Sequence, residues 1–338
     1  MRRHIATPGK ISTFRFILLL RRFCLSKIRG RPYVLNIEVT QRCNAQCGHC
    51  VCWKIDPVPE ISDYSDIASR FHPVIIWLTG GEPLLRPDIG QVIKKIRMVD
   101  PFVYLGMSTN GWLLNQKLAR VLAEKGLNQI NISLDFLGSA HDQHRKINNL
   151  WAHIDEMLPT LKSLRLRVVL TTSIMRENID CLLPIARLAF SKGVGVGYSC
   201  YSAMKTRDYG HCIRNEQLEK LNQIIADLCR MKKKLGFVES SSSYLKRVPE
   251  FFEKGRLGRC LATKSWLCIL PDGHLKICPD KEIYVHYSSY AGPIPVACRE
   301  CWYTCRGEME TPFLERLWEA WQKWMALRRS SGSFSSRS

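Results

Sequence analysis

Four cysteines crowd the stretch "VTQRCNAQCGHCVCWK", at Cys43, Cys47, Cys50 and Cys52, directly after an apolar, strand-like run. Thiols this close in sequence can bridge, pack or hold a metal. The chain has fifteen cysteines, an odd count, and no secretory leader is read ahead of them, which argues against a closed disulfide framework and for the reducing cytoplasm. There, clustered cysteines are metal ligands more often than bridges. Cys43, Cys47 and Cys50 are spaced C-x-x-x-C-x-x-C. Three thiolates suit three irons of a cubane cluster and leave the fourth iron open to a substrate. Zinc is the competing metal, and it asks for a fourth protein ligand, for which Cys52 or His49 stands nearby.

Something must hold this loop in place, and the surrounding pattern says what. Short runs rich in Val, Ile, Leu and Tyr predict strands over Tyr33–Val39, Val74–Thr79, Phe102–Ser108, Gln129–Leu134, Arg167–Ser173 and Val194–Cys200. Between them "DIGQVIKKIRMV", "NQKLARVLAEKG" and "NIDCLLPIARLAFSKG" have helical periodicity, the last two closing on Gly. Six such units in a row predict an α/β fold, a partial (β/α)6 TIM-like barrel, over residues 33–235. Its chemistry belongs at the C-terminal ends of the strands, where the cysteine loop falls.

The texture changes near residue 235. "ESSSSYLKRVPE" reads as a linker, and a small cysteine-rich C-terminal extension over residues 250–312 carries Cys260, Cys268, Cys278, Cys298, Cys301 and Cys305. A packing helix is expected at 313–329, with Leu314, Leu317, Trp318, Trp321 and Met325 at helical spacing, and a disordered tail at 330–338. Cys24, Cys52, Cys181, Cys200, Cys212 and Cys229 are scattered and are assigned no chemistry.

The chain resembles the radical S-adenosylmethionine (radical SAM) enzymes over about residues 34 to 200. Cys43, Cys47 and Cys50 match that family's C-x-x-x-C-x-aromatic-C motif, with His49 in the aromatic slot. "LTGGEPLLRPD" places Thr79, Gly80, Gly81, Glu82 and Pro83 at the end of the next strand, where the family holds the methionine amino group; a Gly-Gly pair alone would be an ordinary turn. "MSTNG" (Met107 to Gly111) and "NISLDFLGSAHDQHRKI" (Asn131 to Ile147) end the third and fourth strands. The resemblance implies that Ser108, Asn110, Ser133, Asp135 and Arg145 line the nucleoside and carboxylate region. Read as residues alone, Ser108, Asn110 and Asp142 equally suit caps or turns. Cys260, Gly273 and Cys278, spaced C-x(12)-G-x(4)-C around "LPDGHL", resemble the opening of the SPASM and twitch extensions, which bind auxiliary four-iron clusters. One auxiliary cluster is expected, on Cys260, Cys278, Cys298 and Cys301, with Cys305 as a substitute and Cys268 as a small apolar side chain. A zinc ribbon is the alternative there.

The resemblance implies [4Fe-4S] clusters and S-adenosylmethionine as cofactors, reductive cleavage to a 5′-deoxyadenosyl radical, and hydrogen abstraction from a peptide, protein side chain, small molecule or lipid-like substrate. A flavodoxin or ferredoxin would supply the electron, and no nucleic acid is expected as a partner. The formal net charge is +20, and Arg2, Arg3, Lys10, Arg15, Arg21, Arg22, Lys27, Arg29 and Arg31 all precede the first acid, Glu38. Residues 1–32 are therefore expected to form a basic arm. With Phe14, Ile17, Leu18 and Leu20 to one side of Arg15, Arg21 and Arg22, it is an amphipathic helix suited to peripheral membrane association, against the simpler reading of a core-packed or solvated arm. The reading from another class is a zinc-stabilised nucleic-acid-binding protein, which leaves "GGEP" and the six βα units unexplained.

Overall fold

In the computed structural model, which describes residues 12–164 and 166–329, the six expected strands are present, with ends shifted by at most two residues. They are β1 (Val34–Thr40), β2 (Ile75–Gly80), β3 (Tyr104–Thr109), β4 (Gln129–Ser133), β5 (Arg167–Ile174) and β6 (Gly195–Cys200). All pair in parallel in sequence order. Ahead of β1 stands α1 (Thr13–Arg29). The crossovers carry α2 (Ser65–Phe71), α3 (Ile89–Val99), α4 (Gln116–Lys125), α5 (Ser139–Arg145), α6 (Leu150–Ser163) and α7 (Leu182–Lys192), and α8 (Leu218–Leu235) follows β6. Parallel strands require such crossovers, because no tight turn can join them. α3 shows the rule: Ile89, Val92, Ile93 and Ile96 form one buried stripe.

Strand periodicity sorts the side chains onto two faces. On β1, Leu35, Ile37 and Val39 are buried in the core shared with the helices, whereas Asn36 and Glu38 face the other way and are half-buried. β4 repeats the pattern, with Ile130 and Ile132 against Gln129, Asn131 and Ser133. The concave face of the sheet is thus polar along β1 and β4, while Ile75 and Trp77 of β2, in register with β1, join an apolar cluster with Val34, Trp266 and Cys268.

The cysteine-rich region continues this sheet. β7 (Trp266–Ile269) pairs in parallel with β1, then β8 (His274–Lys276) and β9 (Ile283–His286) turn back antiparallel, giving the order β6-β5-β4-β3-β2-β1-β7-β8-β9 among the described residues. Gly273 makes the β7–β8 turn at φ +92, where a Cβ would meet His286 Nε2 at 2.8 Å.

Two expectations are corrected, and the core-packed reading of the arm gains support. "ESSSSYLKRVPE" is no linker: it forms α9 (Ser242–Lys246) and α10 (Val248–Lys254), with Tyr244, Leu245 and Val248 fully buried. The serines that suggest a linker by composition cap and tie instead. Ser241 Oγ accepts from Tyr244 N at 3.1 Å and Ser240 Oγ from Tyr198 N on β6 at 2.9 Å. α1 is docked on the base of the barrel. Arg15 is only 4% exposed and donates to Phe102 O (2.9 Å), Val103 O (2.7 Å) and Asn128 Oδ1 (2.9 Å), while Arg22 pairs with Asp100 at 2.6 Å. The arm's first eleven residues lie outside the described ones. After α11 (Thr304–Glu310), α12 (Phe313–Arg329) packs through Leu317 but leaves Leu314, Trp318 and Trp321 exposed, against the expected packing stripe. The Met325 side chain and residues 330–338 also lie outside the described residues.

Candidate active site at the barrel mouth

At the C-terminal ends of β1 to β4, a cavity of about 180 Å³ is lined by Cys43, Cys47, Cys50, Gly80, Gly81, Ser108, Asn110, Ser133 and Arg145, together with His49 and Cys52. Gly80 and Gly81 bring the loop after β2 against the cysteine loop. Gly80 has φ +128, and a Cβ there would sit 2.0 Å from Thr40 O, while one on Gly81 would sit 2.2 Å from Arg42 O. Both positions exclude any side chain. Their closeness extends the β1–β2 pairing, with Gly81 N donating to Thr40 O at 2.9 Å and Glu82 N to Arg42 O at 2.8 Å.

Glu82 lies just behind the lining and is fully buried. Its carboxylate accepts from the Thr109 hydroxyl (2.6 Å), Leu84 N (3.0 Å) and Asn110 N (2.7 Å), which locks the second loop to the end of β3. Burial raises its pKa while these donors oppose the rise. Two carboxylate oxygens offer about four acceptor positions, so three bonds leave room for a cationic partner. Pro83 opens the short 3-10 turn over 83–85, pre-set for it by its fixed φ.

Asp135 and Arg145 form the deepest charge pair. Asp135 is fully buried, accepts from Ser173 N at 2.9 Å and is bridged by the Arg145 guanidinium. Burial pushes the Asp135 carboxyl up, but Arg145 and the neighbouring histidines outweigh it and hold the group well below the usual carboxylate range. Arg145 has a buried Nε with no partner, and its charge lies beside Cys47. Asn110 bridges the loops, donating to Asn44 Oδ1 at 2.8 Å and accepting from Trp112 N at 2.9 Å. Asp142 accepts from Trp151 N, a capping role. His49 stacks on His144, with ring centroids 4.7 Å apart. These two and Asp135 bring three ligand atoms within 4.8 Å, yet Arg145 already occupies Asp135.

The thiols are not comfortable as they stand. Burial pushes Cys43 up to about 11 and raises Cys47, while a hydrogen bond with Cys52 lowers Cys50 to about 7. Thiolates here need a cation to draw off the protons, and a bound metal supplies one.

Cys260, Cys278, Cys298, Cys301 and Cys305 converge elsewhere, beside the β7–β8 hairpin. Cys260 N donates to Cys298 O at 3.1 Å, and Cys305 is surrounded by Cys301, Cys278 and Cys260. Burial pushes Cys278 and Cys301 each up to about 12. Arg306, fully buried, donates to Cys301 O at 2.7 Å and to Glu310 Oε1 at 2.8 Å. Cys268 is buried on β7 in an apolar cluster with Trp266 and Val34. Sequence reasoning missed Asn36, Glu38, Lys205 and Lys276. For the first two, the signal was the polar alternation in "VLNIEVT", a strand expected to be buried on both faces. Cys52, assigned no chemistry, accepts from Lys205 Nζ at 3.5 Å.

Residues 37–189 match the family model described as the Radical SAM superfamily. Curated relatives include the GTP 3',8-cyclase of Aquifex aeolicus (strain VF5), 31% identical over 186 residues that cover 51% of this chain and 57% of the relative. That of Nautilia profundicola (strain ATCC BAA-1463 / DSM 18972 / AmH) is 30% identical over 188 residues, covering 52% and 58%. The chain thus spans about half the length of the curated relatives it matches. Among solved structures, Streptococcus suis SuiB bound to S-adenosylmethionine superposes with TM-score 0.63 at 14% identity, covering 80% of this chain and 68% of that one. Native anSMEcpe with bound AdoMet gives 0.61 at 13% identity over 89% and 98%. Family match and fold agree over the stretch that builds the mouth, and residues 37–189 carry a domain that matches the radical SAM superfamily.

Proposed function

We propose that Cys43, Cys47 and Cys50 hold a [4Fe-4S] cluster whose open iron receives S-adenosylmethionine in the mouth cavity, and that a polar substrate is presented from the lumen below. When bound, the reduced cluster and S-adenosylmethionine together supply an oxidant able to take a hydrogen atom from an unactivated C–H bond. The observation that carries the reading is the single cavity shared by the three cysteines, Gly80, Gly81, Ser108, Asn110, Ser133 and Arg145. The orphaned Nε of Arg145 fits it: a cluster on three thiolates is anionic, and so is the carboxylate of S-adenosylmethionine. Glu82 fixes the loop that meets the ammonium group, and Asp135 fixes Arg145.

A second cluster on Cys260, Cys278, Cys298 and Cys301, with Cys305 able to replace one of them, fits the converging thiols and the buried Arg306. The substrate reading is a small molecule or a peptide. The relatives are named for GTP, and SuiB has been solved with its precursor peptide. Asn36, Glu38, Gln129, Asn131 and Ser133 on the lumen face offer polar partners to either. A flavodoxin or ferredoxin suits the electron supply. No described helix is long and apolar enough to cross a membrane, and the docked Arg15 and Arg22 leave the peripheral-membrane reading with less of its basic face.

The test is anaerobic reconstitution followed by dithionite and S-adenosylmethionine. The protein should release 5′-deoxyadenosine, and Glu82→Ala should keep its iron but weaken cofactor binding by about 1.5–3 kcal/mol. No cofactor binding and no 5′-deoxyadenosine from iron-loaded parent protein would overturn the reading.

A further inference from the structure

We propose that Lys205, opposite Lys276 at the open edge of the barrel, forms an anion subsite, so that the substrate carries a carboxylate or phosphate group. The proposal rests on the radical SAM reading of the mouth. Lys205 lies in the loop after β6, at one edge of the sheet, and Lys276 ends β8 near the other. Between them lie Glu38 of β1 and Asp280, just past Cys278. Lys205 therefore sits between the two cysteine groups: its thiol partner Cys52 lines the mouth cavity, and Asp280 borders the hairpin cysteines.

A simpler account makes these charges a salt-bridge network that ties the extension to the barrel. The pairing does not close as such a network. Lys276 is engaged, donating to Pro279 O at 2.7 Å and lying 3.9 Å from Glu38. Asp280 is engaged too, accepting from the Tyr303 hydroxyl at 2.6 Å. Lys205 is left over. No carboxylate oxygen of the described residues lies within 4.0 Å of its Nζ, and its hydrogen-bond partner is a thiol, a weak acceptor. An ammonium has three donors, and Lys205, half-buried with a single weak partner, keeps donors free for a ligand. Burial works against its charge, while the nearby carboxylates Glu38 and Asp280 favour it. Asn36, two residues before Glu38 on the same strand face, adds a buried Nδ2 without an acceptor. Lys205 and Asn36 thus hold spare donors, while the Glu38 carboxylate faces Lys276, and such donors suit an oxyanion.

The experiment uses the reconstituted full chain with S-adenosylmethionine bound, titrated with inorganic pyrophosphate and, separately, with glutarate. One of the two should bind, and Lys205→Gln should weaken it about tenfold or more. Lys205→Arg should retain it, with iron content and S-adenosylmethionine affinity unchanged in both variants. Preference for pyrophosphate assigns a phosphate-bearing substrate, and preference for glutarate a carboxylate-bearing one. In the unsubstituted enzyme, the bound anion should also protect Lys205 from acetic anhydride, read by mass spectrometry, while Lys27 stays reactive. That readout stands even if Lys205→Gln fails to fold. Binding of neither anion, or binding without protection of Lys205, overturns the subsite. If the parent protein holds neither iron nor S-adenosylmethionine, the radical SAM reading itself has failed, a different result.

Discussion

The two cysteine groups are built in different ways. At the mouth, Cys43, Cys47 and Cys50 come from one short loop, stand in an open cavity and face glycines, serines and Asn110. Their compensating cation, Arg145, is held from behind by Asp135. Beside the hairpin, Cys260, Cys278 and the trio Cys298, Cys301 and Cys305 come from three segments, and all but Cys301 belong to an apolar cluster with Trp266, Val34 and Phe23. Their cation, Arg306, is tied to backbone carbonyls and Glu310. An open site among small residues can admit a cofactor. A site that gathers distant segments into an apolar cluster fixes the chain around it.

The largest effects should come from removing each group's cation. Arg145→Leu strands the buried Asp135, and Arg306→Leu strands the mostly buried Glu310. Loss of one partner of a buried pair costs about 3–5 kcal/mol, which urea unfolding would read. The comparison predicts separate consequences: Arg145→Leu loses S-adenosylmethionine binding but keeps the hairpin iron, and Arg306→Leu does the reverse. If either variant empties both sites, the groups are not independent. Acid sharpens the same contrast. The Asp135 carboxyl is depressed in the folded protein, so its stabilisation is present above the unfolded value of about 3.9 and is lost as pH falls through the lower folded value. Asp135→Asn should flatten that limb of a stability profile. An unchanged acid limb would show that the Arg145 pair contributes little.

Smaller effects test the outer elements. Arg15→Met removes three hydrogen bonds from a buried guanidinium and should cost about 1.5–3 kcal/mol, measured by thermal unfolding. A neutral result would mean that α1 is not part of the barrel base. Trp318→Ser should change stability by less than about 0.5 kcal/mol, since the ring is exposed. A larger loss would show that α12 packs through its Trp face as well as through Leu317.

Much of the mouth is legible in the sequence because it is local. The cysteine loop and "GGEP" each lie in one stretch, and the end of a strand places both. What could not be read there depends on distant partners. Nothing in "LTGG" shows that the glycines meet Thr40 O and Arg42 O, which come from another strand end. Arg15 reads as one more charge on a basic arm, because its acceptors are carbonyls beside β3 and a side chain before β4. The serines of "ESSSS" look like a linker by composition, although Ser240 and Ser241 are buried and bonded. Spacing also cannot rank Cys298 against Cys305. The fold puts Cys305 among three other thiols and leaves Cys298 half-exposed beside Glu300.

The central claim is that the mouth and the hairpin each hold their own four-iron cluster. Iron content after anaerobic reconstitution tests it most directly, in the parent protein and in the triple variant Cys43→Ala, Cys47→Ala, Cys50→Ala. The account predicts about eight irons per chain falling to about four, with the remaining signal insensitive to S-adenosylmethionine. Full iron in the triple variant, or one zinc beside about four irons in the parent, would contradict it.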